Sequence, residues 1–392
     1  MIKLAEATID NVDIDQLIEW LKTYPRLTKG PLTPEYEKKW SEFLGTKYST
    51  FVNSGSSANL LMLATLMEAG KLEVGDAVIV PALSWATDLA PVIQLGLRPL
   101  LCDCNLKDYS YNHRLFMKLV NDGVVIEESP GIRVRHYPKA AIVVPVLGYI
   151  PDMDFILNAC WDNKILLLED CCEALGSVYE GQKLGTFGEM STFSTYSGHH
   201  ISTIEGGMVC TSNPEYDKIL KSIRSHGWDR DWSDEDKCAA KKEWGVSEFD
   251  SLYTFYHCGF NMRATDLQAF LGIKQLDKLK DIVRIRNENF KKYKKYLGFN
   301  ITSDSEGISN FAFPIVSKNR QKIVEILQKN NVEVRPLICG SMGQQPFFIK
   351  RYGKQSFRNA DKLRREGMYI PNHHLLSEKD IKFIAELIKD LI

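Results

Sequence analysis

An α/β fold is predicted by this sequence: a large, mostly parallel sheet covered on both faces, with a small C-terminal α+β lobe. Three observations predict it. From about residue 49, short apolar runs alternate with helical patterns, the signature of strands joined by crossover helices. The chain has 392 residues, more than one hydrophobic core usually serves. Finally, residues 309–316, 318–329 and 332–336 read as a separate strand, helix and strand. The expected division is an N-terminal arm and large domain over residues 1–285 and a small domain over 286–392.

Within the large domain, residues 50–52, 77–80, 99–102, 141–146 and 165–168 are apolar enough to be buried strands. Residues 58–68 form an apolar helix directly after Ser54-Gly55-Ser56-Ser57, giving strand, tight turn, helix. Further runs lie at 191–196 and 206–211. Residues 228–250 carry many charges and little periodicity, and read as a surface excursion framing a site. Residues 275–297 place Ile282, Val283, Ile285, Phe290, Tyr293 and Leu297 among many basic residues, as a long amphipathic helix would, with its basic residues on a solvated face.

Composition excludes several classes. Forty-nine basic and fifty acidic side chains leave a formal charge of -1, which supplies no field for a nucleic acid or an anionic membrane. Residues 1–13 lack the basic region and apolar core of a signal peptide, and the apolar stretch at 140–150 is too short to span a bilayer, so a cytoplasmic protein is expected. Nine cysteines without a C-x-x-C pair suggest neither a disulfide framework nor a metal site. Cys102, Cys104, Cys171 and Cys172 read as packing residues.

Three features carry chemistry. Ser54-Gly55-Ser56-Ser57-Ala58-Asn59 puts backbone N–H groups and hydroxyls at a helix N-terminus, which suits a phosphate, or simply caps the helix. Glu169-Asp170 ends an apolar strand, where a carboxylate either pairs with a protonated ring nitrogen or caps the next element. Trp85 follows another strand, to stack on a flat ring or to pack in the core. An anchor, an electron-sink partner and a lid are together what pyridoxal phosphate (PLP) needs.

The motifs Leu27-Thr28-Lys29-Gly30-Pro31, Ser54 to Asn59, Gly75-Asp76-Ala77-Val78-Ile79-Val80-Pro81, Glu169-Asp170-Cys171-Cys172-Glu173 and Gly259-Phe260-Asn261-Met262-Arg263 occur in one order over nearly the whole chain. That order resembles the DegT/DnrJ/StrS family of fold-type I PLP-dependent transferases (aspartate aminotransferase-like) acting on nucleotide sugars. In that family a lysine six positions before the glutamate of Glu205-Gly206-Gly207 binds PLP as a Schiff base; here the position is His199. Imidazole forms no stable imine, so a noncovalent cofactor is expected, with His199 half-protonated near neutral pH and able to move a proton. Phe193-Ser194-Thr195-Tyr196-Ser197-Gly198-His199-His200 is similar to the same segment in the family's dehydratases, where a histidine likewise replaces the lysine.

The resemblance implies a PMP-dependent 3-dehydratase acting on a nucleotide-linked 4-keto-6-deoxy sugar, GDP-4-keto-6-deoxy-D-mannose first, with glutamate regenerating PMP. It implies His199 and Asp170 as catalytic residues. Gly55, Ser56, Trp85, Asp170, Glu173, Ser194 and Asn261 are implied to hold the cofactor, and His226, Arg230 and Arg335 the substrate. Asn261 would reach the neighbouring subunit's phosphate, so a homodimer with shared active sites is expected. Three alternatives remain at this stage: a lysine-lacking member that only binds a sugar nucleotide, a CDP-sugar 3-dehydrase with a [2Fe–2S] cluster, and an ordinary aminotransferase. The cluster needs four cysteines, and only Cys238 and Cys258 lie in the corresponding region.

Overall fold

The computed structural model describes residues 1–299 and 307–392. The large domain carries strands β1 (Tyr48–Val52), β2 (Ala77–Pro81), β3 (Arg98–Cys102), β4 (Val124–Ser129), β5 (Ile132–His136), β6 (Pro138–Val143), β7 (Leu166–Asp170), β8 (Val178–Tyr179), β9 (Gln182–Lys183), β10 (Met190–Ser194) and β11 (Gly207–Thr211). Seven of them form the main sheet in the order β1-β11-β10-β7-β6-β2-β3. β11 runs antiparallel to both neighbours, and the other pairs are parallel. β4–β5 and β8–β9 are separate hairpins.

The continuous apolar runs follow from burial on both faces. In β2, Val78 and Val80 join one core with Leu61, Met62 and Leu89, while Ala77 and Ile79 join another with Phe116 and Ile156. Every parallel strand therefore ends at the same edge of the sheet, the edge at which open α/β sheets bind ligands.

The small lobe is built on β12 (Ala312–Val316), β13 (Arg335–Pro336) and β14 (Gly367–Pro371), in the order β12-β14-β13. Helix Asp266–Leu297 serves both lobes: Ala269, Ile273 and Leu279 enter a large-domain core, and Phe290 and Tyr293 the small-lobe core. The boundary expected at 285/286 thus falls inside one continuous helix. Among the described residues no helix is long and apolar enough to cross a membrane.

Three sequence expectations are corrected. The excursion at 228–250 contains helix Asp234–Trp244, capped by Ser233 and ended by Gly245 in the left-handed region. The long helix starts at Asp266, where Thr265 and Gln268 form a capping box. Its basic residues are not all solvated, because Arg286 is 1% exposed.

Candidate active site

β1 ends at Val52, and helix Gly55–Glu68 begins three residues later, capped by the Ser54 hydroxyl on the Ser57 N–H (3.1 Å). Ser54, Gly55 and Ser56 border a cavity of about 460 Å³. The unpaired N–H groups of a helix's first turn favour an anion there. Ser194, the last residue of β10, closes the other side; a β-carbon on Gly55 would stand 2.8 Å from the Ser194 β-carbon, so only glycine leaves this approach open.

Asp170, at the end of β7, forms part of the wall. Its carboxylate accepts from the Cys172 N–H (2.9 Å) and from Asn59 Nδ2 (2.5 Å), and Asn59 is oriented in turn by the Thr192 hydroxyl (2.5 Å). Glu173 accepts from the Leu147 N–H (2.7 Å), yet burial and the nearby Asp170 raise its pKa to about 8, leaving it mostly protonated at neutral pH. Trp85 stands at the rim of the cavity, 53% exposed.

His199 also lines the cavity. Burial pushes its pKa down to about 4, Asp170 opposes that shift, and Arg286 adds to it. The expectation of a half-protonated imidazole is therefore corrected. At neutral pH His199 is a free base, ready to accept a proton. Arg286 donates to the carbonyls of Phe311 (2.8 Å), Asn372 (2.8 Å) and His199 (3.1 Å), tying the histidine segment to the small lobe. The adjacent His200 is structural, its Nε2 lying 2.9 Å from the Ser309 carbonyl.

From the small lobe, Arg335, Phe311 and Tyr369 complete the wall, joined by Leu4 and Ala5 of the N-terminal arm. Glu333 binds the Leu4 N–H (2.9 Å) with one oxygen and Arg335 with the other. One cavity thus gathers Gly55, Ser56, Trp85, Asp170, Glu173, Ser194, His199 and Arg335, and among the described residues no lysine lines it.

His226, Arg230 and Asn261 do not line it. They sit together elsewhere: Asn261 bridges to Ser225, the His226 N–H donates to the Phe260 carbonyl (2.6 Å), and the Arg230 guanidinium stacks 3.7 Å over Trp228. Sequence reasoning missed Arg286 and Asp88, a buried carboxyl that also lines the cavity. Arg286 was legible in the helical phase, four residues after Ile282 and four before Phe290, inside the apolar stripe.

Several comparisons bear on this arrangement. A GDP-4-keto-6-deoxy-D-mannose 3-dehydratase of Escherichia coli O55:H7 (strain CB9615 / EPEC) is 30% identical over 98% of this chain and 99% of its own. A solved E coli GDP-4-keto-6-deoxy-D-mannose-3-dehydratase with bound hydrated PLP superposes with a TM-score of 0.87 at 29% identity, covering 99% of both chains. A structure of GDP-4-keto-6-deoxymannose-3-dehydratase with a trapped PLP-glutamate geminal diamine also gives 0.87, at 28% identity, covering 99% of this chain and 100% of that one. With the model of the DegT/DnrJ/EryC1/StrS aminotransferase family matching residues 8–389, this chain belongs to that family.

Proposed function

We propose that this protein is a PLP/PMP-dependent 3-dehydratase of a nucleotide-linked 4-keto-6-deoxy sugar, GDP-4-keto-6-deoxy-D-mannose in the first place, with glutamate regenerating PMP. The observation that carries this reading is a cavity with a strand-end aspartate and a neutral histidine but no lysine on its described walls. The residues fit the cofactor. Gly55, Ser56 and Ser194 form a cradle with room for a phosphate, Asp170 offers a carboxylate to the pyridine nitrogen, and Trp85 covers the ring face. When bound, PMP would supply an amine for the sugar's C4 ketone and a ring that takes up the electron pair left by removal of the C4′ proton and returns it as the C3–O bond breaks and hydroxide leaves.

The chain's own groups do the rest. Asp170 holds a proton on the ring nitrogen. His199, uncharged, takes the proton from the cofactor's C4′ carbon. Glu173, mostly protonated, would offer an O–H to the polar groups of the cofactor. Arg335 meets an anionic group of the substrate or of glutamate. Among the described residues no lysine lines the cavity to recapture the cofactor, so the deoxygenated product would leave as an enamine carrying the PMP nitrogen, which water hydrolyses to ketone and ammonia. This separates the reading from an ordinary aminotransferase.

The protein is expected to hold PLP reversibly. Borohydride reduction of the PLP complex, denaturation and mass analysis should give no pyridoxyl-lysine in the chain; an adduct on a site lysine would overturn the reading.

His226, Arg230 and Asn261 serve the neighbouring subunit's site in this proposal, which requires a homodimer. Coexpressed Asp170→Ala and Asn261→Ala chains should then regain activity, since in a heterodimer one site lacks both residues and the other lacks neither. With half the dimers mixed, about a quarter of wild-type sites are restored. Mass-verified heterodimers without activity would place Asn261 in its own subunit's site.

A further inference from the structure

A second carboxyl lies against Asp170. Asp88, in the first turn of helix Ala86–Gln94, is 1% exposed and lines the same cavity. One of its oxygens accepts the Trp85 N–H (3.1 Å); the other, Oδ1, is buried with no hydrogen-bond donor. Its carboxyl is in side-chain contact with that of Asp170, whose oxygens take two donors, the Cys172 N–H and Asn59 Nδ2. Two carboxylate oxygens in contact and out of water do not both stay ionised. The proton belongs on the member with fewer donors.

We propose that Asp88 is a neutral carboxylic acid whose proton is shared with Asp170, and that it thereby limits how strongly Asp170 draws a proton onto a pyridine nitrogen. The second half rests on the proposed cofactor, and the first does not. A carboxyl O–H donated to Asp170 spreads the anionic charge over both groups and leaves less of it facing the pyridine nitrogen. Asp88 acts through Asp170 and is a positioning residue.

The titratable groups that act on Asp88 include Asp170 at the end of β7, Cys172 and Glu173 just after it, Tyr111, and Cys339 of the small lobe. Burial, followed by Asp170 and Glu173, sets its pKa well above the usual carboxylate range. The unfolded chain releases this proton near pH 4, while the folded chain keeps it, so wild-type stability is lost as pH rises toward the folded pKa.

The test starts with the unliganded protein, unfolded by urea between pH 5 and 8. Relative to Asp88→Asn, a neutral isostere, the wild-type folding equilibrium constant should fall by up to about tenfold per pH unit. Glu173 titrates in both proteins and cancels. A ratio independent of pH would mean an ionised Asp88 and would overturn the proposal.

The second step adds pyridoxamine phosphate and follows its absorbance against pH. Asp88→Asn should keep the wild-type midpoint. Asp88→Ala, which removes the donor, should raise it. Equal midpoints in wild type and Asp88→Ala would overturn the tuning role. Failure of all three proteins to bind pyridoxamine phosphate would overturn that role together with the cofactor reading, while the unliganded result stands by itself.

Discussion

His199→Asn lowers dehydration by ~10²–10⁴-fold, the range a positioned general base contributes, and leaves PLP affinity within a few-fold of wild type. Asparagine keeps a polar group of similar size but takes no proton. The pH dependence is the sharper check. Burial, reinforced by Arg286, holds His199 near a pKa of about 4, so the base form is nearly complete above pH 5 and lost only as pH falls through 4. The acid limb of the single-turnover rate should therefore lie well below the ordinary imidazole range. Near-wild-type turnover in the variant would move the base elsewhere, and a limb centred near 6.5 would show that burial does not act as described.

Arg224→Met destabilises the fold by about 3–5 kcal/mol, measured by urea unfolding at pH 7. Arg224 is 1% exposed and binds Glu37, Asp231 (2.8 Å) and the Phe51 carbonyl (2.8 Å). Methionine fills the volume but leaves the two carboxylates without their guanidinium. Although burial pushes Asp231 up, Arg224 and Lys29 hold it below the usual range, so its stabilising effect exists above about pH 4 and fades as pH falls through the folded pKa. The deficit should then be full at pH 5 and above and shrink below pH 4. A deficit under about 1 kcal/mol at pH 7 would class the cluster with ordinary surface pairs. Because Phe51 lies just before the Ser54 turn, the variant should also weaken PLP binding.

Much of this molecule is legible in its sequence. The strands at 50–52, 77–80 and 165–168 stood out because burial on both faces leaves no polar alternation to confuse with helix. The Ser54 turn, Asp170 and Trp85 could be named from strand ends alone, because a parallel sheet delivers its strand ends to one edge. Helix Asp234–Trp244 was missed although Ser233 and Gly245 bracket it, since its polar sequence has almost no apolar stripe.

What the sequence determined by itself was the α/β architecture, the order of the motifs and the histidine at position 199. Each is a property of local pattern or of residue identity. Only the tertiary structure decided protonation. His199 loses its charge because the small lobe, folded from residues far along the chain, buries it beside Arg286. Glu173 keeps its proton because Asp170 and burial act on it together. Asp88 becomes part of the site because helix Ala86–Gln94 is set against the end of a strand some 80 residues later in the sequence. Charge state depends on which groups share a volume without water, and that is settled only when separate stretches of chain meet.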